Sequence, residues 1–191
     1  MKRLILECGG KAANIVFDDA PDLQSVADAV VMRAFWNQGQ VCTASSRLLI
    51  QEGIREELLP LVADRVAALT PGDPLKPETK FAALVSRDHA GKVLSYVNSG
   101  LKEGATMIHR GASQVPFEGG FYVPPVIFDR VLGHHRIAQE EIFGPVLSVM
   151  SFRDEEEAVE IANGLERQSQ FALMCQQLAF TQIAMSQFCR N

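Results

Sequence analysis

A concentrated charge of one sign is missing from this 191-residue chain. Its 18 Lys and Arg face 23 Asp and Glu, for a formal net charge of -5, and no dense basic block occurs. That balance argues against nucleic acid or an anionic membrane as partner, since both are read by clustered Lys and Arg; small molecules are the better expectation. Long apolar runs are missing too. Nothing approaches a membrane span, and the start, MKRLILECGG, has only a three-residue apolar run before Glu7, too short for the core of a secretory signal. The four cysteines, Cys8, Cys42, Cys175 and Cys189, form no C-x-x-C pair and do not alternate with the four histidines. Neither a zinc site nor a disulfide framework is therefore indicated, and free thiols point to a reducing, cytoplasmic setting.

What is present is apolar sequence, 47% of the residues, enough for a core of one domain or a domain and a half. Leu4 to Leu6 and Asn14 to Phe17 read as short buried strands, separated by Gly9-Gly10. Leu23, Val26, Ala27, Val30 and Ala34 recur at helical spacing, with Pro21 suited to the first turn. Arg47 to Gln51 reads as a strand, Ile54 to Leu69 as a helix, and 75 to 85 as a connection. Ser86 to Glu103 predicts a helix with Val93, Leu94, Val97 and Leu101 on one face, closed by Gly104 and followed by a strand at Ala105 to His109.

Phe121 to Phe128 contains Pro124-Pro125 and predicts an edge or broken strand. Val146 to Phe152 reads as a strand, and Asp154 with Glu157 opens a helix running through Ala162. The alternation predicts an α/β fold, a largely parallel open sheet with flanking helices. Residues 1 to 165 form its body. The Gln-rich stretch 166 to 191 spaces Phe171, Met174, Leu178, Met185 and Phe188 as a helical stripe, a covering helix or a partner-binding one.

Three stretches carry chemistry. In NQGQVCTAS, Cys42 follows four residues ill suited to a core, so it is either a small buried hydrophobe or a nucleophile in a partly open loop. A reacting thiol needs a base for the second reactant, and Glu7, interrupting an apolar strand before two glycines, can serve when buried; a strand-end salt bridge to Lys11 is the other reading. In AQEEIFGPVLSV, Gly144-Pro145 forces a turn that puts Glu141 and Phe143 on a loop leading into a buried strand, with a solvated Glu140-Glu141 pair as the alternative. A Cys-His hydrolase using His89, His109, His134 or His135 is also open, although none of them stands in a distinctive context.

Taken together, LECGGKAANIVF, FWNQGQVCTASSRLLI and EEIFGPVLSV resemble the glutamate, cysteine and Glu-x-Phe-Gly-Pro motifs of the NAD(P)-dependent aldehyde dehydrogenase superfamily, in its order and separation. The likeness runs from about Met1 to Glu166, with the gamma-glutamyl-gamma-aminobutyraldehyde dehydrogenases as the nearest type. The resemblance implies a catalytic-domain-like fold, incomplete here, acting on a small-molecule aldehyde. It implies Cys42 as the nucleophile forming a thiohemiacetal and then a thioester, with hydride passing to NAD or NADP. It further implies Glu7 as general base, Glu141 on the nicotinamide ribose, Phe143 beside the ribose and ring, and Trp36 lining the substrate tunnel.

Departures from the family are also legible. No glycine-rich phosphate loop is present, so most of the dinucleotide-binding domain is absent from this chain, and the Gln-rich tail replaces the family's continuation after Leu165. A truncated gene, with or without a shifted reading frame near Glu166, would explain both. The expectation is family chemistry with little or no turnover by the chain alone. Alternatives are residual thiol esterase activity and a non-catalytic fragment that associates, as a homo-oligomer or with another chain, through exposed apolar surface.

Overall fold

The computed structural model describes residue 3 and residues 9–111, 116–165 and 171–174. Its elements are β1 (Ala13–Val16), α1 (Leu23–Phe35), β2 (Arg47–Gln51), α2 (Arg55–Ala67), α3 (Arg87–Lys102), β3 (Thr106–Arg110), β4 (Val126–Asp129), α4 (Arg136–Gln139), β5 (Val146–Phe152), α5 (Glu155–Asn163) and β6 (Phe171–Met174). The strands form one sheet in the order β3-β4-β5-β2-β1-β6. Every neighbouring pair is parallel except β3 with β4. This is the largely parallel α/β sheet that the alternation predicts, with Arg47–Gln51 and Val146–Phe152 at the expected bounds.

Strands buried on both faces need apolar side chains in both directions, which is why NIV, LLI and VLSVM read as near-continuous apolar runs. One face of the sheet, with Val16, Leu48, Ile50, Leu147 and Val149, packs against α1 and α2. The other, with Ile15, Leu49, Met150 and Phe152, packs against α3 and α5. Burial on both sides fixes register, because a one-residue slip would exchange the two sets.

Helix starts follow local chemistry. Asp22 caps α1 by accepting from Gln24 N at 3.0 Å, and Ser86 caps α3 by accepting from His89 N at 3.2 Å. Asp154 caps α5 through Glu157 N at 3.0 Å, while the Glu157 carboxylate accepts from Arg153 N rather than from the capping residue itself. Gly104, just past α3, has φ +92, the left-handed conformation that glycine adopts without cost.

Four expectations are corrected. Pro21 precedes the Asp22 cap and lies outside α1. The buried face of α3 is Ala90, Val93, Tyr96, Val97 and Gly100, whereas Leu94 and Leu101 are exposed; the aromatic Tyr96 shifts the stripe. Pro124-Pro125 breaks the strand as expected, but the part that remains, β4, lies inside the sheet between β3 and β5, the prolines falling before its ladder begins. Phe171 and Met174, read as part of a helical stripe, belong to β6, parallel to β1. Hydrogen bonding to the open edge of β1 outweighs helical periodicity at those four positions. The rest of the 166–191 tail and the strand expected at Leu4 to Leu6 lie outside the described residues.

Candidate active site

Open α/β sheets commonly hold ligands at the carboxyl ends of their strands. Here the three chemistry-bearing stretches all precede their strands: Gly9-Gly10 leads into β1, Cys42 into β2, and Glu141 and Phe143 into β5. Those strands are adjacent in the order β5-β2-β1, so the stretches converge on the amino edge of the sheet. Glu7 lies outside the described residues.

The Cys42 loop is set by its backbone. A short 3-10 turn, Trp36–Gly39, follows α1, and Asn37, Gln38 and Gly39 are all left-handed, with φ of 49, 57 and 71. Glycine is required at the third, where a Cβ would lie 2.4 Å from the carbonyl oxygen of Gly144. Asn37 Nδ2 donates to Gln40 O at 3.2 Å, and Val85 N donates to Gln40 Oε1 at 3.0 Å. Past the thiol, Ala44 N closes a turn onto Val41 O, Ser45 N returns to Arg33 O in the last turn of α1, and Arg47 N bonds Ala12 O. Cys42 is thus an exposed free thiol at the tip of a pinned turn, not a buried small hydrophobe.

The second loop separates two adjacent carboxylates. Glu140 accepts both guanidinium nitrogens of Arg136 (2.9 and 3.0 Å) and the Tyr96 hydroxyl (2.7 Å), while Arg136 lies 4.3 Å over the Tyr96 ring. These hydrogen bonds, that of Arg136 foremost, hold the Glu140 carboxyl below the usual carboxylate range. Glu141 makes no hydrogen bond or ion pair among the described residues, yet it is half-buried, with its carboxylate against Gly9: a Cβ there would lie 2.1 Å from Oε2. The solvated reading holds for Glu140, which is exposed though clamped, and fails for the half-buried Glu141.

Phe143 follows with φ +56, unusual for a bulky residue, and its ring is exposed. Two contacts hold it there. His89 Nε2 donates to the Phe143 carbonyl at 2.6 Å, and the two rings meet edge to face with centroids 6.2 Å apart. The next residue, Gly144, packs on Val93 of α3, where a Cβ would meet Cγ2 at 2.5 Å.

Behind these loops lie two buried cations. Arg47 donates to Lys11 O (2.9 Å) and to Ile161 O and Ala162 O at the end of α5 (3.0 and 3.1 Å), the carbonyl-rich terminus that favours positive charge. Lys11 is 1% exposed, and its Nζ has no hydrogen-bond partner among the described residues. Burial first, then the Arg47 charge, lowers its pKa to about 7, with Glu141 and Glu140 opposing. The apolar run AANIVF immediately after it was the available signal for burial, and the salt bridge to Glu7 read from the sequence falls on a residue outside those described.

Trp36, 67% exposed, stands one helical turn beyond the exposed Met32, on the same side of the chain as it leaves α1. The histidines do not form a Cys-His pair. His109 is on the edge strand β3, and His134 and His135 follow β4 at the opposite edge of the sheet from Cys42. His89 is engaged with Phe143, a role that sequence context gave no means of finding.

The aldehyde dehydrogenase family model matches residues 1–179, reaching past Glu166 into the Gln-rich tail, so the chain belongs to the aldehyde dehydrogenase family and the likeness extends further than the motifs alone reveal. Aminoacetaldehyde dehydrogenase of Pseudomonas aeruginosa is 44% identical over 163 residues, covering 85% of this chain and 32% of its own length. Among solved structures, indole-3-acetaldehyde dehydrogenase of P. syringae, in complex with NAD+, superposes with a TM-score of 0.91 at 43% identity, over 95% of this chain and 37% of its own. Gamma-glutamyl-gamma-aminobutyraldehyde dehydrogenase of Burkholderia cenocepacia gives 0.90 at 37% identity, over 95% and 36%. The chain spans about a third of the length of the curated relatives it matches.

Proposed function

We propose that residues 1 to 165 carry the reaction centre of an enzyme that oxidises a small aldehyde to a carboxylic acid with NAD or NADP. The observation that carries this reading is the convergence of an exposed thiol, a carboxylate that accepts no hydrogen bond among the described residues and a glycine pair on the amino ends of three adjacent parallel strands. Cys42, as its thiolate, adds to the aldehyde carbonyl to form a thiohemiacetal, and oxidation at that carbon yields a thioester. Glu7 takes a proton from water, the resulting hydroxide attacks the thioester, and sulfur leaves as the thiolate. The Cys42 backbone N–H is a donor for the tetrahedral oxygen, and Trp36 lines the path of the substrate.

The residues present fit one end of a nicotinamide dinucleotide. Glu141 offers a half-buried carboxylate that accepts no hydrogen bond among the described residues, as a pair of ribose hydroxyls needs, and Phe143 presents an exposed aromatic face beside it. When bound, the dinucleotide supplies a hydride acceptor. No phosphate-cradling loop occurs in the sequence, so these contacts alone position that acceptor weakly, and little turnover is expected of the chain by itself.

An activated aryl ester separates this reading from a bystander thiol, because acyl transfer needs the nucleophile and base but no cofactor. Mass spectrometry should find one acyl group, on Cys42, with Glu7→Gln slowing its release by about a hundredfold, the scale of a lost general base. Acylation spread over the other cysteines, or none, refutes it. Met32, Trp36, Leu75 and Val85 are each exposed apolar side chains, and self-association is the proposal they support; size-exclusion chromatography showing a clean monomer would count against it. Among the described residues no helix is long and apolar enough to cross a membrane, and the free thiol chemistry suits the reducing cytoplasm.

A further inference from the structure

The start of α3 and the residue before its cap touch both loops of the candidate site, although neither belongs to the three motifs. Val85 N holds Gln40 of the cysteine loop at 3.0 Å, and His89 Nε2 holds the Phe143 carbonyl at 2.6 Å. Ser86 Oγ accepts from His89 N, so the histidine is itself fixed at the helix start. Phe143 at φ +56 is a conformation that a bulky residue adopts only where its surroundings hold it. The hydrogen bond to its carbonyl and the edge-to-face contact with its ring are both made by His89.

We infer that His89 is a positioning residue of the site: its Nε2–H to the Phe143 carbonyl selects the left-handed loop that presents the Phe143 ring for binding the nicotinamide ribose end. The inference rests on the cofactor reading above. Without the donor, the loop redistributes among conformations, and apparent affinity for a ligand that needs the left-handed one falls in proportion to its remaining population. His89 does not touch Cys42, so thiol chemistry should be indifferent to its loss.

The test uses the full chain with 4-fluorophenylalanine at position 143, observed by fluorine NMR in the wild type, His89→Phe and His89→Gln. His89→Phe keeps a ring but loses the donor, and His89→Gln restores an N–H within reach. One sharp resonance is expected for wild type and His89→Gln, and a split or exchange-broadened one for His89→Phe. In an NAD titration of the same samples, the dissociation constant of His89→Phe should rise about tenfold and that of His89→Gln stay within about threefold, as a competent population cut to a tenth implies. Alkylation of Cys42 by iodoacetamide, read by peptide mass spectrometry, should be unchanged in all three. A single sharp resonance in His89→Phe overturns the inference and leaves the cofactor reading intact. A wild-type resonance that ignores NAD overturns the cofactor reading, and the splitting alone then decides whether His89 sets the loop.

Discussion

The two edges of the sheet are finished in opposite ways. At the carboxyl edge, Gln51 joins three strands, its Oε1 accepting from Asp18 N past β1 (2.9 Å) and its Nε2 donating to Arg153 O past β5 (3.2 Å). Arg55 pairs there with Asp129 at the end of β4. At the amino edge, the Glu141 carboxylate and the Lys11 amine lack hydrogen bonds among the described residues, and four residues, Asn37, Gln38, Gly39 and Phe143, take left-handed backbone. Among the described residues, the amino side thus holds four of the left-handed residues and a buried amine without a hydrogen bond, while the carboxyl side, although Arg130 is left-handed there and Asp19 Oδ1 lacks a hydrogen bond, is tied across its strands by side-chain bonds. A scaffold can tolerate the first because of the second.

The largest break in that contrast should come from Cys42→Ala, which is expected to abolish acylation by the aryl ester, a drop of at least about a hundredfold in rate, with stability unchanged. Gly39→Ala comes next. It places a methyl against Gly144 O in a left-handed residue, and urea unfolding should show a loss of about 2 kcal/mol or more with unchanged slope.

Lys11 sharpens the comparison through pH. Its folded pKa, about 7, is below the ordinary 10.5, so the unfolded chain binds the extra proton between those values and unfolding free energy rises with pH across that window, by up to about 1.4 kcal/mol per pH unit. Below pH 7 the penalty is constant. Lys11→Met should remove this rise and be the more stable protein at pH 7, so a variant with the wild-type slope would show that the amine is not desolvated. The smallest effect is expected at the closed edge, where Gln51→Leu should cost about 1 kcal/mol per lost hydrogen bond and leave Cys42 acylation untouched.

How much of this was legible follows from which interactions are local. Val146–Phe152 and Arg47–Gln51 announce themselves because a doubly buried strand has an apolar composition of its own. The cap at Ser86 and the glycine after α3 are equally local. Cys42 in a loop could be read from the polar NQGQ before it. The difference between Glu140 and Glu141 could not, since it depends on Tyr96, 44 positions away, and on Gly9, at the other end of the sequence from the loop. Phe171 and Met174 misled for the same reason: a free strand edge recruited them, and no helical period encodes that. His89 offers no local signal at all, because its partner is a carbonyl 54 residues downstream.

Gly39 and Gly144 meet main chain to main chain. No side chain stands between the thiol-bearing turn and the carboxylate-bearing one to be trimmed or enlarged, so drift at this seam moves both turns or neither. Met32 and Trp36, exposed at the end of α1, are by contrast places where side-chain bulk can change without touching that seam.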